Sequence, residues 1–203
     1  NITEEFRQTV NFIENCYKDG FKQPLILFCQ RADYMTHESK ENNEKKLELK
    51  QVEINTGPIG GLGTSSRVTM LHQHVLSMAN ADISPRALPP NHTDTMVAKA
   101  LHMAWNEFGN SEAVILFLHS SPSDTRLIES RQVQNEVARI SNGQTKCVFL
   151  ILREAINRLK LHPKDFSLIL DDKYLVAVAV HRYSSTTPQE LTFTREIIRR
   201  STA

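Results

Sequence analysis

The sequence predicts an α/β domain built on a mostly parallel sheet with helices on both faces. Three short, continuous apolar runs are typical of strands that are buried on both sides: LILFC (25–29), AVILFL (113–118) and CVFLIL (147–152). They alternate with longer segments in which apolar residues recur every three or four positions, the spacing of an amphipathic helix. Alternating strands and helices favour parallel strands joined by helical crossovers.

The first half of the chain begins with a helix predicted over residues 3–18, which Gly20 ends. Its apolar residues Phe6, Val10, Ile13 and Tyr17 recur at helical spacing. A buried strand over 25–29 follows and ends in QRADY. Residues 36–48 are charged and predict a solvated loop, and residues 49–55 predict a second strand. After a glycine-rich loop, a helix is expected from about Arg67 to Met78, with Val68, Leu71, Val75 and Met78 on one face.

In the second half, residues 80–92 predict a loop and Asp94 is expected to cap a helix that runs to Phe108. The inward face of this helix is predicted to hold Val97, Ala100, Leu101 and Ala104, and Gly109 to end it. A strand over 113–118 precedes a more polar helix to about Ile140, a turn at Asn142-Gly143, a strand over 147–152 and a short basic helix. A hairpin is expected around Asp171-Asp172. A capping box at Thr187-Pro188-Gln189-Glu190 opens the last helix.

Length and composition limit the possible classes of protein. The chain has 203 residues, and no linker clearly divides it, so residues 1–203 are predicted to form one domain. Its 24 Lys plus Arg and 23 Asp plus Glu leave a net charge of +1, which argues against nucleic acid or an anionic membrane as a partner. No apolar run reaches the roughly 18 residues that span a bilayer, and no secretory signal peptide is recognisable.

The three cysteines are few and odd in number, and they predict reduced, buried thiols in an intracellular protein. Two triplets, Asn1-Ile2-Thr3 and Asn91-His92-Thr93, match the N-glycosylation pattern, which matters only if the protein is secreted.

Polar residues follow several of the predicted strands where each strand ends. They are Gln30, Arg31, Asp33 and Tyr34; Glu53 and Asn55; His119, Ser120 and Ser121; and His181, Arg182 and Tyr183. Ligands of open α/β sheets bind outside the carboxyl ends of the strands. If these strands are parallel neighbours, two arginines converge on one crevice, which suits an anionic, amino-acid-like ligand because arginine binds carboxylate and phosphate in a forked geometry.

Glu53 and Asn55 are two residues apart on a predicted strand, so their side chains point to the same face. A carboxylate and an amide carbonyl are hard oxygen ligands that suit Mg²⁺ held against a phosphate. The alternative is a half-exposed strand with an ordinary polar face. The glycine-rich loop that follows has two interpretations as well: a phosphate-binding loop, or a turn that needs a positive φ. It lacks both the third glycine of a dinucleotide fingerprint and a Walker lysine.

Four stretches taken together resemble the substrate-binding half of eukaryotic glutathione synthetase: RADYM (31–35), QVEINT (51–56), the glycine loop and HQHVLSM (72–78). The resemblance continues more loosely through VILFL, QNEV, VAVAVHRY and TPQEL. It implies a Rossmann-like substrate-binding domain of an ATP-grasp ligase, and a chain that is a fragment of a longer protein, because no ATP-grasp glycine loop or lid segment is recognisable.

The resemblance also implies an activity and a set of ligands. The family uses ATP and Mg²⁺ to ligate γ-glutamylcysteine to glycine. By that likeness Glu53 and Asn55 bind the metal, and Glu53 also lies beside ATP. Arg31, Arg182 and Tyr183 hold the dipeptide, and no residue is assigned a catalytic role. The small-molecule substrates, a cytoplasmic location and a homodimer of the full-length protein are further expectations from the family.

Three departures from the family pattern fall in the dipeptide pocket. The loop Pro58-Ile59-Gly60 stands where the family has substrate-binding serines. Arg126 and Ser130 stand where the family has asparagine and glutamine, and the RDGY-type motif is replaced by Arg182-Tyr183-Ser184-Ser185. These changes leave an alternative open, namely a secreted effector of the kind found in parasitic nematodes, with an altered substrate or no ligase activity.

Overall fold

The computed structural model describes residues 3–20, 22–23, 25–41, 44–56, 59–183, 187–198 and 201–203. The chain divides into two compact units. The hairpin unit is Phe28–Gly60, and the large unit is Asn1–Leu27 together with Gly61–Ala203.

The hairpin unit consists of two antiparallel strands, β1 (Arg31–Glu41) and β2 (Glu44–Asn55). Two predictions are therefore wrong. Residues 25–30 form no strand and are exposed, while the charged segment predicted as a loop lies largely within β1 and β2. Its charges fit an exposed ribbon because they pair across the strands, as Lys45 does with Glu38 at 3.0 Å.

The large unit contains a mixed five-stranded sheet. Its strands are β3 (Val114–His119), β4 (Lys146–Ile151), β5 (Leu159–Leu161), β6 (Leu168–Leu170) and β7 (Tyr174–Arg182), in the order β4-β3-β7-β6-β5. β3 runs parallel to β4 and β7, whereas β6 is antiparallel to β5 and β7. The α/β class is confirmed, but the mostly parallel arrangement is only partly matched. The predicted turn between β6 and β7 is present, with Asp171 and Asp172 both at φ 54°.

Six α-helices accompany the strands of the described chain. They are α1 (Glu4–Asp19), α2 (Ser65–Met78), α3 (Thr93–Phe108), α4 (Arg126–Ile140), α5 (Leu152–Arg158) and α6 (Pro188–Phe193), the last running into a π-helical turn at Thr194–Ile198. Gly20 and Gly109 end α1 and α3 with positive φ, as predicted. The capping box is also confirmed, since the Glu190 N–H donates to Thr187 Oγ1 and the Thr187 N–H donates to the Glu190 carboxylate.

The core lies on both faces of β3, which is buried along its whole length. Leu116 and Leu118 pack on the side of α5 and α6, whereas Ile115 and Phe117 pack against α3 and α4. The prediction of helices on both faces of the sheet is therefore confirmed, and β3 shows why a strand of this kind is a continuous apolar run.

Burial in three helices differs from the sequence predictions. In α3 the buried residues are Asp94, Ala98, Leu101 and Trp105, so that only Leu101 of the predicted inward residues is fully buried. The helix begins at Thr93, one residue before Asp94. Asp94 is thus a buried first-turn residue that accepts a hydrogen bond from Ser66 Oγ at 2.8 Å, rather than the cap. The apolar faces predicted for α1 and α2 are largely solvent-exposed, since no described element covers them; the exposed residues are Phe6, Val10, Ile13, Tyr17, Val68, Leu71, Val75 and Met78.

The cysteines and the hydropathy of the helices also bear on the predictions. Cys16 and Cys147 are half-buried, whereas Cys29 is exposed, which corrects the prediction that all three are buried. None of the three forms a disulfide with another described residue. Among the helices of the described residues, none is both long enough and apolar enough to cross a bilayer.

Candidate ligand site

In the large unit, two parallel strands deliver polar residues to one edge of the sheet. β3 and β7 are in register with His119 opposite Arg182, so both strands end at the same edge. Both side chains are almost fully buried, at 1% and 2% exposure. The predicted convergence of the third strand and the last long strand is thus present.

Glu129 is the centre of the polar contacts at this edge. Its Oε2 accepts a hydrogen bond from Arg182 Nη2 at 2.7 Å. Its Oε1 accepts two more at 2.8 Å, from the Gly61 backbone N–H and the Thr64 hydroxyl. One buried carboxylate therefore connects β7, α4 and the later part of the glycine loop, which leads into α2. Burial lowers the pKa of Arg182, and the charge of Glu129 opposes that shift.

Sequence reasoning missed Glu129, although the sequence holds a signal for it. Glu129, Val133 and Val137 are spaced by four on α4 and all three are buried. An acidic residue on the apolar face of a helix must find charged or hydrogen-bonding partners, because an unpaired buried carboxylate is very costly. The position of Glu129 on the apolar face of α4 is therefore the sequence signal that indicates a buried, partnered carboxylate.

The glycine loop approaches α4 too closely for a side chain at one position. A Cβ on Gly63 would lie 2.4 Å from the Glu129 carbonyl oxygen. Gly61, two residues earlier, has a φ of 93°, which supports the interpretation of this loop as a turn that needs positive φ. The glycines thus allow the loop to bring its N–H and hydroxyl groups to the Glu129 carboxylate.

Asp124 and Arg126 form a second pair in the loop after β3. Arg126 donates from Nε and Nη2 to the two oxygens of Asp124, both at 2.8 Å, and its backbone N–H donates to Asp124 Oδ1 at 3.0 Å. Burial raises the pKa of Asp124, but the hydrogen bonds and charge of Arg126 outweigh burial and hold that pKa below its ordinary value. Arg126, predicted to bind substrate, is therefore already engaged by a carboxylate. Ser130, predicted for the same pocket, is buried on α4 at 3% exposure.

His119 lies next to this pair without a hydrogen bond from either ring nitrogen to the described part of the chain. Its Nδ1 is 3.8 Å from Asp124 Oδ2, and its ring stacks on Phe149 with centroids 6.1 Å apart. Burial lowers the pKa of His119, and the nearby Asp124 carboxylate only partly opposes this. Burial thus favours the neutral form of the imidazole.

Tyr183, which directly follows Arg182, is buried at 7% exposure. Its hydroxyl lies 3.1 Å from His181 Nδ1. Ser184 and Ser185, which complete the altered motif, are outside the described residues.

In the hairpin unit, four polar side chains meet at the open end of the ribbon. Arg31 donates from Nε and Nη2 to the Asp33 carboxylate at 2.7 and 2.8 Å. Asn55 donates from Nδ2 to Glu53 Oε1 at 2.9 Å and to Asp33 Oδ2 at 3.2 Å. Arg31 Nη2 also lies 4.0 Å from Glu53 Oε1. The pKa of Asp33 lies below its ordinary value chiefly because of the hydrogen bond from Arg31.

These residues are close together for a different reason from the one predicted. Arg31 was expected at the carboxyl end of a buried parallel strand, but it opens β1, and the antiparallel register places it opposite Asn55 and places Asp33 opposite Glu53. Glu53 and Asn55 do share one face, as predicted. The sequence prediction that they line one cleft together with Arg182 stays a prediction.

The predicted substrate loop is described only in part. Pro58 lies outside the described residues. Ile59 is buried at 7% exposure, and the Gly60 carbonyl accepts a long hydrogen bond from Arg31 Nη1 at 3.5 Å.

The sequence is similar to proteins of one known family. The family described as eukaryotic glutathione synthase, ATP-binding domain, matches residues 3–160. A glutathione synthetase of Rattus norvegicus is 29% identical over 120 residues, which is 59% of this chain and 24% of that protein. A glutathione synthetase of Dictyostelium discoideum is 23% identical over 196 residues, which is 95% of this chain and 40% of that protein.

Among solved structures, a glutathione synthetase-like effector from Globodera pallida in its apo form superposes with a TM-score of 0.76. It is 38% identical, and the match covers 97% of this chain and 54% of that one. The chain therefore spans about a quarter to two fifths of these two curated relatives and about half of this structural neighbour.

The fold is an α/β domain in which the parallel strands β3 and β7 end at a polar sheet edge, the place where open α/β sheets bind their ligands. The chain belongs to the eukaryotic glutathione synthase family, in the part described as its ATP-binding domain.

The contact between Glu129 and Arg182 yields a stability prediction. We expect Glu129→Gln to lower the free energy of unfolding by roughly 3 kcal/mol, because it removes the charge opposite a buried guanidinium. Chemical denaturation measures this loss. The matched control is Arg139→Gln on the same helix, which removes an exposed pair with Glu136 and should cost less than about 1 kcal/mol. Equal losses in the two variants would contradict the central position of Glu129.

The buried imidazole of His119 yields a prediction of pH dependence. The pKa of His119 in the folded chain lies below the unfolded value of about 6.5. Between these two values the unfolded chain binds a proton that the folded chain does not, so this contribution is complete above about pH 6.5 and is lost as the pH falls towards the folded pKa. We expect His119→Phe to reduce the slope of unfolding free energy against pH in this window. The exposed His72→Gln is the control, and a slope unchanged by His119→Phe would contradict the prediction.

Proposed function

We propose that this chain supplies part of the ligand site of an ATP- and Mg²⁺-dependent ligase that joins γ-glutamylcysteine, or a closely related thiol peptide, to glycine. The observation that carries the proposal is the cluster of Arg31, Glu53 and Asn55 at the open end of the hairpin, in a chain that belongs to this family. In the family's reaction the dipeptide carboxylate accepts the terminal phosphoryl group of ATP. The amine of glycine then attacks the carbonyl carbon of the acyl phosphate and phosphate leaves.

The donors at the end of the hairpin fit a magnesium ion in their chemistry. Glu53 offers carboxylate oxygens and Asn55 an amide oxygen, which are ligands that Mg²⁺ accepts. The Asn55 Nδ2 donates to the Glu53 and Asp33 carboxylates, and its Oδ1 is the atom that would bind the ion. Among the described residues, no group of three or more His, Cys, Asp or Glu side chains could hold a metal. A few protein ligands supplemented by water and phosphate oxygens are the usual arrangement for Mg²⁺ with a nucleotide, and the bound ion would neutralise phosphate charge.

The arginines have distinct roles in this proposal. Arg31 is held in a forked pair with Asp33, which fixes the direction of its guanidinium beside Glu53. Its remaining N–H groups would bind the carboxylate of the dipeptide. Arg182 is fixed by Glu129, and with Tyr183 it would contact the dipeptide at the edge of the large unit.

A second candidate function is that of an effector-like relative with an altered substrate or no ligase activity. The observation that favours it is the forked pair between Arg126 and Asp124. Arg126 in this pair stands where the family has an asparagine. An asparagine cannot neutralise Asp124, whereas Arg126 does, so the loop would no longer offer a free carboxylate to an amino group of a ligand. Similarity to the Globodera pallida effector agrees with this candidate.

Assembly and location belong to the same proposal. We propose that the full-length protein is a homodimer, either cytoplasmic as an enzyme or secreted as an effector.

Loss of the metal ligand gives the first functional test. We expect the full-length protein to form glutathione from γ-glutamylcysteine, glycine and ATP, and Glu53→Ala to reduce kcat/KM by about 100-fold or more, since even outer-shell changes at metal sites cost 10–100-fold. The control is Glu48→Ala on the same strand, whose carboxylate pairs with Lys50 at 2.8 Å. Glu48→Ala should leave turnover unchanged. If the Glu53→Ala variant formed glutathione at the same rate as the unchanged protein, the metal assignment would be contradicted.

Binding of the standard dipeptide separates the two candidate functions. For the effector-like candidate, we expect γ-glutamylcysteine to leave the melting temperature of the full-length protein unchanged. The double variant Arg126→Asn with Ser130→Gln, which restores the family residues, should then show a melting temperature that rises with dipeptide concentration. Tight binding by the unchanged protein would instead favour the ligase. The control is Arg131→Asn, an exposed neighbour on α4.

A further inference from the structure

The triplet Asn91-His92-Thr93 lies at the end of the loop before α3, and neither the ligase nor the effector-like proposal uses it. It matches the N-glycosylation pattern with a threonine at the third position and no proline at the second. We propose that Asn91 is an N-glycosylation site, which accepts an oligosaccharide when the polypeptide passes through the lumen of the endoplasmic reticulum. The inference is independent of the ligase chemistry.

The contacts of Asn91 leave the reacting nitrogen available. Its Oδ1 accepts two hydrogen bonds, from the Thr93 N–H at 3.1 Å and from the Thr93 hydroxyl at 2.7 Å. Its Nδ2, the atom that carries the sugar, donates no hydrogen bond to the described part of the chain. Glycosylation replaces one hydrogen on Nδ2 and leaves Oδ1 unchanged. The junction between loop and helix therefore keeps the same contacts with or without the sugar.

The surroundings of Asn91 have room for a sugar. A broad, solvent-open cavity of about 560 Å³ lies beside it, within the large unit. Residues that line it with Asn91 are Thr69, Pro89, Pro90, His92 and Met96. The two prolines, His92 and Met96 are exposed, so an oligosaccharide that begins in this cavity continues into solvent. The proline rings and the methionine side chain offer apolar surface to the face of the first sugar ring.

The transfer is chemically balanced with a lipid-pyrophosphate-linked oligosaccharide as the co-reactant. A bond forms between Asn91 Nδ2 and C1 of the first sugar, and the bond between C1 and the pyrophosphate oxygen breaks. The lipid pyrophosphate leaves with that electron pair, and the amide nitrogen loses one proton.

The experiment uses the full-length protein secreted from eukaryotic cells behind a signal peptide. An Asn1→Gln background removes the other matching triplet, so that a glycan can be assigned to Asn91. Treatment with peptide-N-glycosidase F in heavy-oxygen water, followed by peptide mass spectrometry, should show a loss of glycan mass and an isotope-labelled aspartate at position 91. Folded, secreted protein in which Asn91 carries no label would overturn the proposal.

Matched variants separate a missing glycan from a damaged fold. Asn91→Asp keeps the size of the side chain and an oxygen that accepts from Thr93, but it lacks the amide nitrogen. When both proteins are produced in a bacterial cytosol without glycans, Asn91→Asp should have the same melting temperature as the unchanged protein. When both are secreted from eukaryotic cells, Asn91→Asp should carry no glycan at position 91. Thr93→Ser should retain the glycan and Thr93→Ala should lose it. A glycan mass that is the same in Asn91→Asp as in the protein that keeps Asn91 would show that Asn91 carries none of it and would overturn the assignment.

Discussion

The buried carboxylate of Glu129 is the interaction on which the ligand edge of the large unit depends. It receives hydrogen bonds from Arg182 at the end of β7, and from Gly61 and Thr64 in the glycine loop. Three segments that are far apart in sequence are thereby fixed by one side chain. Because a buried charge is tolerated only with good partners, the same contacts that orient Arg182 also determine where the glycine loop lies. Gly63 completes this arrangement, since any larger residue would collide with the Glu129 backbone.

The polar side chains of the hairpin unit are positioned in a different way. Its polar end is exposed, and the arrangement comes from backbone register rather than from burial. Arg31 and Asp33 form a forked pair, and Asn55 donates to both neighbouring carboxylates, so an array of like charges is held together by one cation and one amide. Such an array is suited to exchange some of these contacts for a metal ion and phosphate oxygens, which is the role that we propose for it.

The sequence predicted the interior of the sheet better than its periphery. The apolar runs that form β3 and β4 were identified because strands of a sheet covered on both faces leave little choice of residue. The run at 25–29 has the same composition but no strand partner among the described residues, and composition cannot show whether a partner exists. The charged hairpin was missed for the converse reason, since cross-strand pairs such as Lys45 with Glu38 stabilise strands whose apolar residues stay exposed.

The sequence likewise predicted some residues of the candidate site and missed others. Glu53, Asn55 and Arg31 were found by spacing and resemblance, and their proximity is present in the hairpin. Glu129 and the pairing of Arg126 with Asp124 depend on which side chains meet across α4 and the loop before it, and one-dimensional spacing does not contain that information.

The two strands that pair with β7 lie at different distances from it in the sequence, which has a consequence for the order of folding. β7 pairs with β6 through a tight turn, and with β3 only after a long separation in sequence. Contacts between near neighbours in sequence form faster because less chain entropy is lost in closing them. We therefore expect the β6–β7 ribbon to form early and to act as a template for β3. The edge where His119 meets Arg182 would then be completed last, so that a chain able to bind at this edge is one that has finished folding.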